Sequence, residues 1–372
     1  MEVGPRALEM LVGSAMDWRG KRVLVTGHTG FKGSWLALWL HQHGAEVTGL
    51  ALPPSTKPNL FDATHLADQI THVEGDIRDL ALVRATVDKA RPEAIFHLAA
   101  QPLVRLSYEE PVETYATNVM GTVHLLEAAR QAGTVTAFVC ITTDKCYENR
   151  EWVWPYRETD PMGGYDPYSS SKGCAELIVS AYRRSFFPVE AISKGGMSLA
   201  SVRAGNVIGG GDWATDRLIP DLVRAYANDV APEIRSPHSV RPWQHVLEAL
   251  GGYLIIAGRM FEADAAMSDA WNFGPSDEDA RPVSWIADKM RTAWGSQVEE
   301  AQFTGRQLHE AGLLKLDCSK ARSALGWRPA LPLATAIDWV VDWHKRFEAG
   351  EPAAELCLEQ ITAYRKQQAD LA

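Results

Sequence analysis

At 372 residues, 46% of them apolar, the chain can bury a large core as one big domain or two moderate ones. A net charge of −10 argues against a general nucleic-acid or membrane-surface binder, while leaving room for a basic pocket around a small anion. The five cysteines, Cys140, Cys146, Cys174, Cys318 and Cys357, are scattered, with no CxxC pair and no Cys/His cluster, so the expectation is reduced cytosolic thiols and no metal.

The N-terminal stretch Met1–Arg19 lacks a basic n-region and a long apolar h-region and is not read as a signal peptide. No apolar run is long enough to span a bilayer. Met16 stands directly before Asp17-Trp18-Arg19-Gly20-Lys21, a natural opening for a first strand, so residues 1–16 are expected to be an extension and Met1–Ala15 dispensable. The apolar run Val23–Val25 then meets Gly27, His28, Thr29, Gly30, Phe31, Lys32 and Gly33, followed by an amphipathic run with Trp35, Leu36, Trp39 and Leu40. This reads as strand, tight turn and helix. Such a turn offers backbone N–H groups at a helix N-terminus, where the dipole favours an anion, here a dinucleotide diphosphate. Further strands are expected at Glu46–Leu52, His72–Glu74, Ala94–Leu98, Ala137–Thr142 and Ser198–Arg203, and helices at Leu82–Lys89, Val112–Gln131 and Tyr168–Ser185. The alternation predicts an α/β fold, a Rossmann-type doubly wound parallel sheet with ligands beyond the carboxyl ends of its strands. Beyond Arg203 the alternation is lost, and a smaller C-terminal substrate-binding domain is expected. The expected division is 17–203, with 243–275 returning to it, against 204–242 and 276–372.

The glycine spacing is GxxGxxG rather than GxGxxG, and it is followed by Thr143, just past the fifth strand, and then by Tyr168-Ser169-Ser170-Ser171-Lys172. Tyr and Lys four apart share one helix face. In these features the chain resembles the short-chain dehydrogenase/reductase superfamily, in its extended form, and the resemblance implies a Thr143–Tyr168–Lys172 catalytic set. A free Tyr is too weak a base at neutral pH; the Lys172 ammonium and a positive nicotinamide ring would both favour its phenolate. Lys172 would also hold the nicotinamide ribose. The resemblance further implies that Asp76 contacts adenine, with Ile77 beside it, that Leu98, Ala99 and Ala100 wall the nicotinamide site, and that Asn118 is a structural Asn. NAD enzymes of this type carry an acid at the end of the second strand for the ribose 2′-OH. Here that end reads Thr48-Gly49-Leu50-Ala51-Leu52, and Lys32 is a cation that could accept a 2′-phosphate. Local residues therefore leave NAD and NADP open, and family membership favours NAD.

After Thr143 come Asp144 and Lys145, where epimerases of the superfamily place small or apolar residues and nucleotide-sugar 4,6-dehydratases an acid and a base. With GHTGFKGSWL (27–36), DKCYENRE (144–151), DPYSSSKG (166–173), RAGNVIGGGDW (203–213) and RPWQHV (241–246), the chain from Trp18 to Trp343 resembles the CDP-glucose 4,6-dehydratases. The resemblance implies oxidation at C4 with Tyr168 as base, elimination of water across C5–C6 and reduction at C6. Asp144, raised in pKa by burial, is the expected acid at C6. Lys145 is the candidate at C5, as base or as stabiliser of the enolate with water carrying the proton. Asn206 and Arg241 match diphosphate-contacting positions, and Arg217 is a weaker candidate; a guanidinium suits that planar task. Cytosine recognition rests on the resemblance alone. Trp152 and Trp154 are read as covering the sugar or as a packed loop, and Trp35 and Trp39 as core. The resemblance also implies a cytoplasmic enzyme acting on a nucleotide sugar (CDP-glucose), with no nucleic-acid or membrane partner. A homodimer, or a dimer of dimers, would form through the helices at Val112–Gln131 and Tyr168–Ser185. The rival readings are a dehydratase or epimerase for another nucleotide sugar, and a non-catalytic dinucleotide sensor.

Overall fold

The structure, a computed structural model, describes residues 16–302 and 312–371, so the expectation for Met1–Ala15 lies outside the described residues, while Met16 itself packs against the core. The strands are β1 (Arg22–Thr26), β2 (Glu46–Ala51), β3 (Thr71–Glu74), β4 (Ala94–His97), β5 (Ala137–Ile141), β6 (Ser198–Ala204), β7 (Asn206–Ile208), β8 (Glu233–Ile234), β9 (Val240–His245), β10 (Ala270–Phe273), β11 (Ala280–Pro282) and β12 (Ala301–Gln302). Seven of them form one sheet in the order β10-β6-β5-β4-β1-β2-β3, with every pairing parallel. The order reverses between β1 and β4, which opens a crevice at the carboxyl ends of those two strands. The sequence reading placed six of these strands. The seventh, β10, comes from beyond the break in alternation and adds to the β6 edge in register with Ser201–Ala204.

The pleat explains why the central strands are so apolar. Val23, Val25, Phe96 and Val139 face one hydrophobic layer, while Leu24, Ile95, Phe138 and Cys140 face the other. β4, β5 and β6 are buried along their whole length, whereas β3, at the edge, has no buried residue. The helix Phe31–Gln42 departs from the expected amphipathic pattern: every residue from Gly33 to Leu40 is buried. It is covered on its outer side by the helices Val246–Phe261 and Ala353–Leu371, and Trp39 meets Tyr364 edge to face at 6.0 Å.

A third apolar cluster lies apart from the sheet. Leu222, Val223, Ile286, Met290, Ile337 and Val340 join the helices Leu218–Ala227, Val283–Trp294 and Leu333–Glu348. It supports the small sheet β11-β9-β7, whose Asn206 and Arg241 line one cavity with Thr143, just past the carboxyl end of β5. Among the described residues no helix is long and apolar enough to cross a membrane, and no group of His, Cys, Asp or Glu is arranged to hold a metal.

Candidate active site

The turn after β1 is packed to its limit at two glycines and open at a third. Gly27 has φ +75°, and a Cβ there would sit 2.7 Å from the Ala99 amide nitrogen. A Cβ on Gly33 would collide with the Gly27 carbonyl. Gly30, the N-cap of the first helix, has φ −83°, makes no side-chain cap, and would give a Cβ no neighbour closer than the Gly27 oxygen at 3.4 Å. Uncapped first-turn amides beside an open glycine, at the crevice between β1 and β4, fit a diphosphate. Ala99 is held there by its own amide, which donates to Thr26 Oγ1 at 3.2 Å.

Of the side chains inside the turn, His28 is buried and Lys32 lines a cavity. The His28 ring is fully buried over Gly49, where a β-carbon would collide with it, and Nε2 lies 2.7 Å from His72 Nδ1. Burial, reinforced by His72, holds its pKa down to about 4. The imidazole thus fills the space beside β2, and only a glycine at 49 permits it. Thr29 Oγ1 donates to the Leu52 carbonyl at 2.8 Å. Lys32 does not face the end of β2; it lines a cavity with Asp144, Tyr168 and Arg217, and burial, with Lys172 and Arg217 nearby, lowers its pKa to about 7. The 2′-phosphate role considered for Lys32 therefore has no geometric basis, because its side chain runs toward the opposite end of the cleft. Asp76 is engaged by Arg78, whose Nε donates to it at 2.8 Å and which also pairs with Glu113. Ile77 is buried against Gly121.

The cavity, about 300 Å³, brings Thr143, Asp144, Lys145, Tyr168, Asn206, Arg217 and Arg241 onto one lining. Thr143 lies two residues past β5 and caps the short helical turn Asp144–Cys146, and its hydroxyl donates to Asp144 Oδ1 at 2.9 Å. The other oxygen, Asp144 Oδ2, is buried without a hydrogen-bond partner. Burial raises the Asp144 pKa, against the pull of Lys145, Thr143 and Arg241. Tyr168 and Lys172 enter from the helix Pro167–Phe186, which starts sharply because Pro167 follows an Asp166 cap that accepts from the Ser169 amide at 2.9 Å. Burial pushes the Tyr168 phenol up to about 12, with Thr143 pulling the other way. Lys172 donates to the Ile141 carbonyl at 3.3 Å, and burial lowers its pKa. In the protein by itself desolvation outweighs the pull of Thr143 and Arg217 on the Tyr168 phenol.

Asn118 joins the two halves of this site. The expected continuous helix over Val112–Gln131 is broken into Pro111–Tyr115, a π-helical turn at Ala116–Met120 and Gly121–Ala132. The wide turn carries Asn118 inward, where Oδ1 accepts from the Gln101 amide at 2.8 Å and Nδ2 donates to the Gln101 carbonyl and to Ser171 Oγ, at 3.0 and 2.8 Å. The loop Leu98-Ala99-Ala100-Gln101 is thus tied to the helix that carries Tyr168 and Lys172. At the far end of the cavity, Arg241 is buried on β9 and donates to the Val240 carbonyl at 3.1 Å, and Arg217 pairs with Asp212 at 3.1 Å. Arg105 and Arg235, which the sequence reading did not single out, both reach Asp216 at this end, at 3.0 and 3.1 Å. Neither lies in a motif, so only the fold groups them. Trp152 stacks on Tyr156, and Trp154 is exposed; neither is among the residues lining the cavity.

Comparison with known proteins agrees with this geometry. Residues 24–339 match the family model described as GDP-mannose 4,6 dehydratase. A CDP-glucose 4,6-dehydratase of Salmonella typhimurium is 56% identical over 93% of this chain and 97% of its own length. A dTDP-glucose 4,6-dehydratase of Xanthomonas campestris is 28% identical over 86% of this chain and 92% of its own. In fold, a crystal structure of a dTDP-glucose 4,6-dehydratase from Streptomyces venezuelae, with NAD bound, superposes with a TM-score of 0.74 at 24% identity, covering 88% of this chain and 99% of that one. A UDP-glucose 4-epimerase from Thermotoga maritima gives 0.76 at 24% identity, covering 88% of this chain and 99% of that one.

Proposed function

We propose the following reaction for this chain, which belongs to the GDP-mannose 4,6-dehydratase family: the conversion of CDP-D-glucose to CDP-4-keto-6-deoxy-D-glucose with loss of one water. The enzyme is an NAD-dependent hydro-lyase. NAD, when bound, supplies a reversible store for the hydrogen and electron pair that leave C4 and return at C6, so the sugar undergoes no net redox change. Gly27, Gly30 and Gly33, with Thr29, Phe31, Asp76, Ile77, Leu98, Ala99, Ala100, Tyr168 and Lys172, would hold it. Residues 17–203 with 243–275 are assigned to the dinucleotide and 204–242 with 276–372 to the sugar nucleotide.

The observation that carries the reading is the Asp144 carboxyl: buried, raised in pKa, and with one oxygen free in the same cavity as Tyr168 and Thr143. Tyr168 takes the proton of the C4 hydroxyl; Lys172 and the cofactor's charge lower its pKa from the value burial imposes. Thr143 donates to the same oxygen. The resulting ketone acidifies C5–H, which Lys145 removes or whose enolate it stabilises. Asp144 protonates the C6 hydroxyl, the C6–O bond breaks, and water leaves; C5 regains a proton when C6 is reduced. Asn206, Arg217 and Arg241 hold the diphosphate. The reading implies a cytoplasmic enzyme, since nucleotide sugars and dinucleotides are made there, in keeping with five unpaired cysteine thiols. It also implies a homodimer, supported by exposed apolar side chains on the two expected interface helices: Val112, Met120, Leu177 and Phe186.

Mass spectrometry of products from CDP-, dTDP-, UDP- and GDP-glucose, each with NAD, tests the reading. Loss of one water from CDP-glucose alone is expected. Loss from another nucleotide sugar would keep the chemistry and overturn the cytosine assignment; an epimer of unchanged mass would overturn the dehydratase.

A further inference from the structure

We infer that the buried ion pair Glu176–Arg203 is a positioning device for the reaction centre, locking the Thr142–Tyr147 segment to the face of the helix that presents Tyr168 and Lys172. The two side chains are only 3% and 4% exposed and meet at 2.7 Å between Glu176 Oε2 and Arg203 Nη2. Glu176 lies outside the motifs that pointed to the chemistry and Arg203 stands at the first position of the 203–213 motif, yet each contacts the segments that carry the reaction. Glu176 lies one helical turn beyond Lys172 and two beyond Tyr168, on the same face. Its Oε1 accepts from the hydroxyl of Thr142, the residue before Thr143, and its Oε2 accepts from Ser201 Oγ at 2.7 Å. Arg203, on β6, donates through Nη1 to Tyr147 Oη at 2.7 Å and to the Glu158 carbonyl at 3.1 Å, and its guanidinium lies 5.0 Å over the Tyr147 ring. Tyr147 Oη in turn donates to Asn272 Oδ1 on β10 at 2.8 Å. Both ends of the Thr143-Asp144-Lys145-Cys146 turn are therefore pinned by one ion pair, at Thr142 on one side and Tyr147 on the other.

Burying two charges is expensive, and isolated apolar residues of similar volume would serve stability as well or better. What the charges add is direction. A carboxylate accepting from two hydroxyls and a guanidinium admits few geometries, and a shift of about 1 Å at a reacting group costs on the order of a hundredfold in rate. The carboxylate also faces Lys172 and raises the pKa of its ammonium. The other groups facing Lys172 are the thiols of Cys140 on β5 and Cys146 in the helical turn, His97 on β4 and Lys32 on the first helix. Burial keeps both thiols protonated at neutral pH and His97 uncharged; Lys32, near 7, is the one that titrates alongside.

The inference rests on the functional reading above only for what Tyr168, Asp144 and Lys172 do. The test is the full chain carrying Glu176→Gln together with Arg203→Met, which removes both charges and leaves neither unpaired. We expect a thermal midpoint near that of the parent, a kcat on the natural sugar nucleotide reduced at least tenfold with KM little changed, and an alkaline limb moved to lower pH. A double variant with parental kcat and pH profile would make the pair merely structural and overturn the inference. Should it fail to fold, Thr142→Val removes only one hydroxyl donor to Glu176 and keeps the ion pair; an unchanged kcat there also overturns it. The Lys172 titration, followed by NMR in protein labelled at lysine Cε, needs no substrate. It is expected to move to lower pH in the double variant, and an unmoved titration counts against the inference. Failure of the parent to dehydrate CDP-glucose sinks the functional reading separately.

Discussion

Replacing Gly30 and Gly33 in turn by alanine separates what the turn after β1 does for the protein from what it does for a cofactor. A Cβ on Gly33 would run into the Gly27 carbonyl and lie 2.8 Å from the His28 α-carbon, backbone atoms that no rotamer change can clear. Overpacking of that kind costs about 1–3 kcal/mol or more. Gly30 is different. Its φ of −83° suits any residue, and the nearest atom to its would-be Cβ is at 3.4 Å, so the free protein should change by no more than about 0.5 kcal/mol: an unfolded-state gain of roughly 0.4–1 kcal/mol set against a slightly poorer N-cap. The open space is where the diphosphate would pass, and a methyl group there should weaken NAD binding at least tenfold, about 1.4 kcal/mol. Thermal unfolding without nucleotide, and NAD titration by quenching of tryptophan fluorescence, measure the two effects. Gly33→Ala should unfold several degrees lower; Gly30→Ala should unfold with the parent and bind NAD poorly. Parental NAD affinity in Gly30→Ala would refute the placement of the diphosphate, and an unshifted midpoint in Gly33→Ala would refute the packing.

Asp144→Asn should still oxidise C4, seen as accumulating reduced nicotinamide absorbance, while water loss falls by about 10²–10⁴; normal water loss would remove Asp144 from the role of acid. Because burial raises its pKa, the parent's elimination step should weaken as pH climbs through that raised value, the acid being lost. Glu248 makes a pH prediction about stability. Burial pushes its carboxyl from an ordinary 4.5 to about 7, although it accepts from the Ala330 and Leu331 amides and from Tyr364 Oη. The folded state thus holds this proton more tightly than the unfolded one, so the penalty is absent below pH 4.5 and grows as pH rises toward 7, in total on the order of 3 kcal/mol. Glu248→Gln keeps the acceptor for the two amides and should flatten that part of the urea-unfolding profile; an identical pH slope in parent and variant would contradict the assignment. Leu177→Arg should convert a dimer to a monomer in light scattering at micromolar concentration, and a parent already monomeric would overturn the proposed assembly.

The sequence by itself determined the elements whose signals are local. Val23–Val25, Ala94–Leu98 and Ala137–Thr142 read as buried strands because their apolar runs are short and bounded by turns, and the glycine turn and Tyr168–Lys172 pair carry their spacing within a few residues. That these motifs gather at one end of a parallel sheet followed from strand–helix alternation alone. Chain-local pattern has no access to which distant surface a side chain meets. The tertiary structure alone decided that β10 closes the sheet beside β6, that His28 turns onto Gly49 and His72, and that Lys32 lines the cavity with Asp144. It alone opened the π-helical turn that carries Asn118 to Gln101 and Ser171, and paired Glu176 with Arg203 behind the catalytic turn. Periodicity reports that a residue is buried; its partner is set by packing between elements far apart in the chain, where burial leaves a polar group only the acceptors and donors the fold brings to it.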